Sequence, residues 1–539
     1  MSSAAAMIKS NEADPRSLFG SLGMSRPLVL LPEAHAAADR GRALTQSLAG
    51  CDPAPDARFL DVFNRVSDPR DPFELRDLWL SRVESELGGT GLKAGRAEAW
   101  RRSRVRRSVS AEEVLTSRAT VRFIKEMFNS YFRDDLFGDL RPEGLIALSG
   151  GSVDETAWGL PEALKACLRY ALDRDWYGYS DSRGRISARE AIAGYESARI
   201  VGGGYSVDNV AISMGGTFTI STLADFLLSQ RAQTQSPALC AIPNYPPLVE
   251  SIARRGDIKL VPLAWRGGET SLAPLIAALT PTTPLVMLQT VANPTGVAVD
   301  EAELAELIRR AAPSTMIVLD ECHQWLGRCA PCAAARRAAN VIRVSSISKT
   351  WSAPGLKVGW FLADAALIAD YYEFASTTFG GPPSYFYTLV EVLARMERWL
   401  ESGIVVPGNA ELQEFEGGYG VGLADLQVAF ESYRVERLKR AEILEDLREA
   451  TLSGLADAGA TSITPRYSIN VTTQFPGYDD SYLCFRRLLA DSNVSVFPGL
   501  LTFCLSGGLC RVTAARGWTD LSQALKRLQL APSRFGPAL

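Results

Sequence analysis

From Asn209 to Ser348 the chain repeats one pattern: short apolar runs rich in β-branched residues, separated by longer stretches with helical spacing. The runs "NVAIS", "ALCAIP", "PLVMLQTV", "TMIVLDE" and "VIRVSSIS" read as strands, and "TISTLADFLLSQ" and "DEAELAELIRRAA" as helices between them. Strands alternating with helices predict an α/β fold with a mostly parallel sheet covered by helices. Before this section, Ala111 to Phe137 has a helical pattern and leads into "GLIALSGG", a strand ending in glycines. After it, residues 381–450 read as helical with a glycine-rich break, "FEGGYGVG". From Thr451 the pattern returns to α+β, with "SINVTTQF", "SYLCFRRLLADS", "VSVFPG" and "LCRVTAA". The expected organisation is an N-terminal appendage (1–105), the first part of a small domain (106–160), a large domain (161–380), a helical insertion (381–450) and a C-terminal small domain (451–539).

Composition adds limits. The 539 residues suffice for two or three domains, and 47% hydrophobic with 22% charged is ordinary for a globular chain. A net charge of -4 gives no support to nucleic-acid or membrane-surface partners. The N-terminus lacks a basic start followed by an apolar core, and no run is apolar for long enough to span a bilayer, so a cytoplasmic protein is expected. Nine cysteines, odd in number and scattered, suit a reducing compartment. "CAPC" at Cys329–Cys332 has redox-motif spacing but no second pair for structural zinc, and plain loop thiols are the simpler reading. With His35 and His323 the only histidines, neither a metal centre nor a histidine-based hydrolase is expected. The arginine cluster "AWRRSRVRRS" (99–108) is either a solvated helix face or a contact for an acidic ligand or partner.

The candidate chemistry lies at the strand ends. "VIRVSSIS" runs out toward Lys349, and "SAPG" after it cannot continue a helix, so the lysine is expected in a loop where open α/β sheets bind ligands. Asn293 follows an apolar strand in a turn set by Pro294 and Gly296. Asp320 ends another strand, where a buried carboxylate needs a partner. Gly215, Gly216 and Thr217 stand at a strand-to-helix junction, where free N–H groups suit a phosphate. A phosphate cradle, a carboxylate, an amide and a lysine are the set that pyridoxal phosphate uses.

In the order and spacing of ANPTG, LDE, SxSKTxxxPGLKVGW and a late "VFPG…CRVTAA", the chain resembles fold-type I pyridoxal-phosphate enzymes, the class I/II aminotransferase superfamily, over residues 110–530. The resemblance implies that fold, a homodimer with shared active sites, and an amino-acid-type substrate. It implies Lys349 as Schiff-base lysine and proton shuttle, Asp320 on the pyridine nitrogen, and Asn293 on the ring's 3'-oxygen. Gly216, Thr217, Ser346 and Lys357 would hold the phosphate, with Gly215 at the same junction. Tyr245 matches the aromatic that stacks on the ring, or is a core aromatic. Tyr179 matches the tyrosine that reaches the neighbouring subunit's phosphate. Arg511 matches the arginine that grips the substrate's α-carboxylate, and Gly150 or Gly151 would line the substrate side.

Two departures bear on the reaction. His323 replaces the usual tyrosine, and as a group able to titrate near neutral pH it offers an extra acid/base, or is a tolerated substitution. The chain is also longer than a common aminotransferase. It is similar in length, and in "DPFELRDLWL", to aspartate 4-decarboxylases, and "YFRDDLFGDLRPEGLIALSGG" is similar to the entry into the small domain of 1-aminocyclopropane-1-carboxylate synthases. Transamination of an amino acid in specialised metabolism is the leading expectation. γ-Elimination or replacement on S-adenosylmethionine, with a second substrate such as NAD, and β-decarboxylation are the alternatives. A cofactor-binding regulator or pseudoenzyme is a reading from another class.

Overall fold

The computed structural model describes residues 17–20, 22–23, 47–88, 93–229, 236–324, 331–415, 417–465 and 467–530. His35 and Cys329 lie outside them.

A seven-stranded sheet organises the large domain. Its strands are β1 (Val210–Ser213), β2 (Ala238–Ile242), β3 (Ile258–Pro262), β4 (Leu285–Gln289), β5 (Met316–Asp320), β6 (Val341–Ser346) and β7 (Gly359–Leu362). Their spatial order is β1-β7-β6-β5-β4-β2-β3. All run parallel except β7, which pairs antiparallel with both neighbours. The parallel strands β1, β2, β4, β5 and β6 are buried at every position, as a sheet covered on both faces requires. Crossover helices such as Gly215–Leu228 and Glu301–Arg310 supply that cover. The apolar runs are therefore strands where expected, and β3 and β7 are the additions. Gly359 starts it because a Cβ there would stand 2.7 Å from the Ser345 carbonyl oxygen and 2.9 Å from Gly215 Cα. Only a glycine lets this strand bring the Lys349 segment against the β1–helix junction.

The small domain carries a four-stranded antiparallel sheet: β8 (Thr461–Ile463), β9 (Asn470–Gln474), β10 (Phe497–Pro498) and β11 (Leu509–Thr513), in the order β8-β9-β11-β10. It meets the large domain at the Asn293–Gly296 turn. The Thr472 hydroxyl donates to the Pro294 carbonyl (2.6 Å) and the Tyr467 N–H to the Gly296 carbonyl (3.2 Å). Gly296 has φ +69°, and a Cβ there would collide with the Tyr467 carbonyl at 2.5 Å. The 35-residue helix Leu423–Asp457 packs on the small-domain sheet and on large-domain helices alike.

Residues 57–102, expected as an appendage, fold into helices that share the main core. Asp71 caps the helix Pro72–Glu86, accepting from the N–H groups of Phe73 and Glu74, and Pro72 supplies a preset first turn. Phe59, Phe63, Trp79 and Phe123 form an aromatic cluster with ring centroids 5.4 to 6.1 Å apart. Buried Arg82 pairs with buried Asp480, and Arg486 with Glu84 at 2.8 Å, tying this helix to Ser481–Ser492 of the small domain. The arginine cluster starts as the exposed end of the helix Ala97–Arg102 and continues extended, with Arg107 donating to the carbonyls of Val66 and Ser67. No helix among the described residues is long and apolar enough to cross a membrane. Cys332 is buried and accepts a hydrogen bond from Gln324 Nε2 at 3.2 Å.

Candidate active site

Strand register sets the floor of the site. Gln289 at the end of β4 pairs with Asp320 at the end of β5, and Asp320 pairs with Val344 of β6. The carboxyl ends of β4 and β5 thus lie level, and β6 runs two residues further to Ser346, where an open sheet offers a crevice. A cavity of about 340 Å³ opens there. Gly151, Gly215, Gly216, Thr217, Tyr245, Asn293, Asp320, His323, Ser346, Lys349, Lys357 and Arg511 all line it. Gly150 and Tyr179 lie elsewhere. Gly150 uses its carbonyl to accept from the Thr513 hydroxyl, and a Cβ on it would run into the Arg516 guanidinium. Tyr179 projects fully into solvent from the single chain.

Lys349 stands in one turn of helix, Ile347–Thr350, rather than in a loop. The Trp351 N–H closes the turn on the Ile347 carbonyl (3.1 Å), and positive φ at Ser352 followed by Pro354 ends it. The Lys349 amine donates to the Gly151 carbonyl. Burial, with the Arg511 charge adding to it, brings its pKa down to about 8. Asp320 is buried and fixed on both oxygens: Oδ2 accepts from Gln289 Nε2 (2.8 Å) and Oδ1 from the Cys322 N–H (3.1 Å). Gln289 Oε1 in turn accepts the Asn293 N–H at 3.2 Å.

Arg511, on β11, reaches across from the small domain. Its Nη1 donates to Asn293 Oδ1 and its Nη2 to the Ser149 carbonyl, each at 3.0 Å, while its guanidinium lies 4.1 Å from the Phe497 ring centroid. Its Nε is buried without a partner among the described residues. Burial pulls its pKa down to about 10. His323 is buried in the same cavity, and burial, followed by the charges of Lys349 and Arg511, pushes its pKa down to about 3. The imidazole is therefore neutral, unlike the near-neutral titration that its residue type suggests.

These residues fit pyridoxal phosphate. Gly215 at φ +78° begins the helix Gly215–Leu228, whose first N–H groups have no partner within the helix. A Cβ on Gly216 would sit 2.7 Å from Cys322 Sγ, filling the cradle that a phosphate needs. A deprotonatable amine, a fixed carboxylate and that cradle border one cavity, which is the donor set the cofactor requires.

Sequence reasoning passed over several lining residues, among them Phe128, Gln289, Cys322, Ser348 and Phe497. Ser348 lies inside a quoted run, Cys322 follows "TMIVLDE" directly, and Gln289 is the last residue of its strand, so strand-end position alone would have found them. Phe128 comes from the helix Arg118–Ser130, and no local signal ties it to the site.

Residues 144–401 match the family model described as aminotransferase class I and II. The chain is 26% identical over 392 residues to a valine–pyruvate aminotransferase of Mycobacterium tuberculosis, covering 71% of this chain and 90% of that protein. Among solved structures it is similar to a double mutant of Thermus thermophilus aspartate aminotransferase (TM-score 0.58, 19% identity, 79% of this chain and 100% of the other). A Pyrococcus horikoshii aromatic aminotransferase gives a TM-score of 0.59 at 16% identity, covering 73% and 96%. Fold, site and family match agree: residues 144–401 carry the match to the class I and II aminotransferases, and the protein is a pyridoxal-phosphate-dependent enzyme of fold type I.

Proposed function

We propose that the enzyme transfers the amino group of an α-amino acid, acting as a homodimer with shared sites. One observation carries this reading: the Lys349 amine, with its pKa lowered to about 8, lies in one cavity with the fixed carboxylate of Asp320 and the guanidinium of Arg511. Asp320 would pair with the pyridine nitrogen and favour its protonated form, with Gln289 keeping the carboxylate in place. The backbone of Gly216 and Thr217, the Ser346 hydroxyl and Lys357 would hold the phosphate, Asn293 would hydrogen-bond the ring oxygen, and Tyr245 would stack on the ring. Bound there, pyridoxal phosphate supplies the electron sink for the pair left when the substrate's Cα–H bond breaks. Arg511 grips the α-carboxylate through its fork and so orients the Cα–H bond toward Lys349. Lys349 Nζ takes that proton and returns it, a task suited to an amine that is neutral for part of the time near pH 8.

His323 favours a second reading. Its neutral imidazole, standing where the family has a tyrosine, is too weak a base at a pKa near 3 to take a proton, but it can hydrogen-bond a substrate group beyond Cα, and this departure sets elimination from S-adenosylmethionine, in specialised metabolism, beside transamination. The cofactor-loaded enzyme, offered single amino acids with 2-oxo acids and, separately, S-adenosylmethionine, tests both readings by mass spectrometry. Amino-group exchange that disappears in Lys349→Ala is the expected result. Release of methylthioadenosine without amino-group exchange would replace transamination with elimination. Exchange that survives Lys349→Ala at the wild-type rate would overturn the lysine's role.

A further inference from the structure

Lys349 lines a second, smaller cavity, between its own turn, the helix Leu423–Asp457 and the small domain. The space is about 40 Å³, enough for one small species. Lys349, Arg437 and Arg440 bring three cationic residues to the wall, Trp158 an indole, and Thr350 and Ser352 hydroxyls, while no carboxylate among the described residues lines it. Arg440 and Trp158 are 4% and 6% exposed. Arg440 Nη1 and Trp158 Nε1 are both buried with no hydrogen-bond partner among the described residues.

The remaining nitrogens of Arg440 are committed. Nε and Nη2 donate to Glu436 Oε1 at 3.2 and 2.8 Å, and Nη2 also donates to the carbonyls of Trp158 (2.6 Å) and Gly159 (2.7 Å). Arg437 Nε donates to Glu397 Oε1 at 3.0 Å. Both carboxylates lie outside the cavity wall. Burial still lowers the Arg440 pKa despite Glu436, so its charge is not fully offset. Buried donors without acceptors are rare in native proteins, and a ligand at this position has to accept rather than donate. A water molecule could donate to the two hydroxyls, but it would bring no charge to a wall with three cationic residues, whereas a halide brings a negative one.

We propose that this cavity binds one monovalent anion of halide size, held by Arg440 Nη1–H and Trp158 Nε1–H beside the Lys349 turn. The inference rests on the cavity alone and stands or falls independently of the reaction catalysed. Chloride is the ion available in ordinary solution, and its charge so close to Lys349 offsets that of the arginines.

Anomalous diffraction from crystals of the cofactor-loaded protein exchanged into sodium bromide gives the direct test. A bromine peak between the two unpartnered N–H groups is expected. In solution, the thermal midpoint should rise saturably with chloride against gluconate at constant ionic strength. Trp158→Phe keeps a ring but removes one donor, and should raise the half-saturating chloride about tenfold or more. Density without anomalous signal, or equal midpoints in chloride and gluconate, would overturn the proposal. A bromine peak with a chloride response unchanged in a folded Trp158→Phe protein would mean an adventitious ion only, and would overturn it equally. Should Trp158→Phe not fold, the wild-type peak and the chloride response decide.

Discussion

His323 shows how position overrides residue type. In water its imidazole would titrate near 6.5; among buried neighbours, with Lys349 and Arg511 close by, the folded protein holds it neutral down to about pH 3. The unfolded chain takes up a proton below pH 6.5 that the folded chain refuses. Folding stability conferred by this residue is therefore full above the unfolded pKa, and falls as pH drops from 6.5 toward 3. Between pH 7 and pH 5 the loss amounts to about 2 kcal/mol. Urea denaturation of the cofactor-free protein at the two pH values, beside His323→Asn, measures it. The variant should lose less stability on acidification by about that amount. Equal losses would mean that the histidine is protonated, or solvated, in the folded state. The identity of this residue was plain in the sequence, but its neutrality was not, because its two cationic neighbours come from other segments of the chain.

At the scale of elements, strand ends carried most of what the sequence made legible. Asn293, Asp320 and Ser346 stand at or just past strand ends as expected, because an apolar run followed by a turn signal marks where a strand stops, while Lys349 follows its strand in a helical turn instead of a loop. The antiparallel direction of β7 was not legible, since "GWFL" has no alternation and periodicity carries no direction. Nor was the support beneath the floor of the site. Glu321, next to Asp320, is buried and accepts from Arg343 Nε (2.9 Å) and Nη2 (2.8 Å) and from Arg336 Nη1 (2.5 Å), while Arg343 also reaches Glu196 (3.0 Å). Burial opposes its ionisation, but Arg343 and Arg336 outweigh burial and hold its pKa below the ordinary value. Glu321→Gln leaves two buried guanidinium groups short of a carboxylate, and should cost about 3–5 kcal/mol in urea denaturation. A loss under about 1 kcal/mol would show that Glu196 and Glu301 carry the network without it.

On the scale of the whole molecule, length and composition suggested separate parts, while the structure shows residues 57–102 packed into the core of the small domain through Phe59, Trp79 and the buried Arg82–Asp480 pair. Those partners are 398 positions apart, and no local pattern announces such a contact. The same reasoning extends beyond one chain. Tyr179 is fully exposed, with Tyr177 beside it at 62%, on a loop that does not line the cavity of its own subunit. Two neighbouring exposed tyrosines suit an interface, where a large ring is buried and its hydroxyl finds a partner. In the symmetric dimer proposed above, each Tyr179 would serve the cavity that holds the other chain's Lys349. Lys349→Ala and Tyr179→Ala chains should each be impaired alone. Unfolded together and refolded as a mixture, they should regain about a quarter of wild-type activity, because half the dimers are mixed and each mixed dimer has one intact site. Sedimentation at the mass of two chains must accompany the result. Activity no higher than the sum of the two variants, in protein shown to be dimeric and mixed, would place Tyr179 in the service of its own chain or of none.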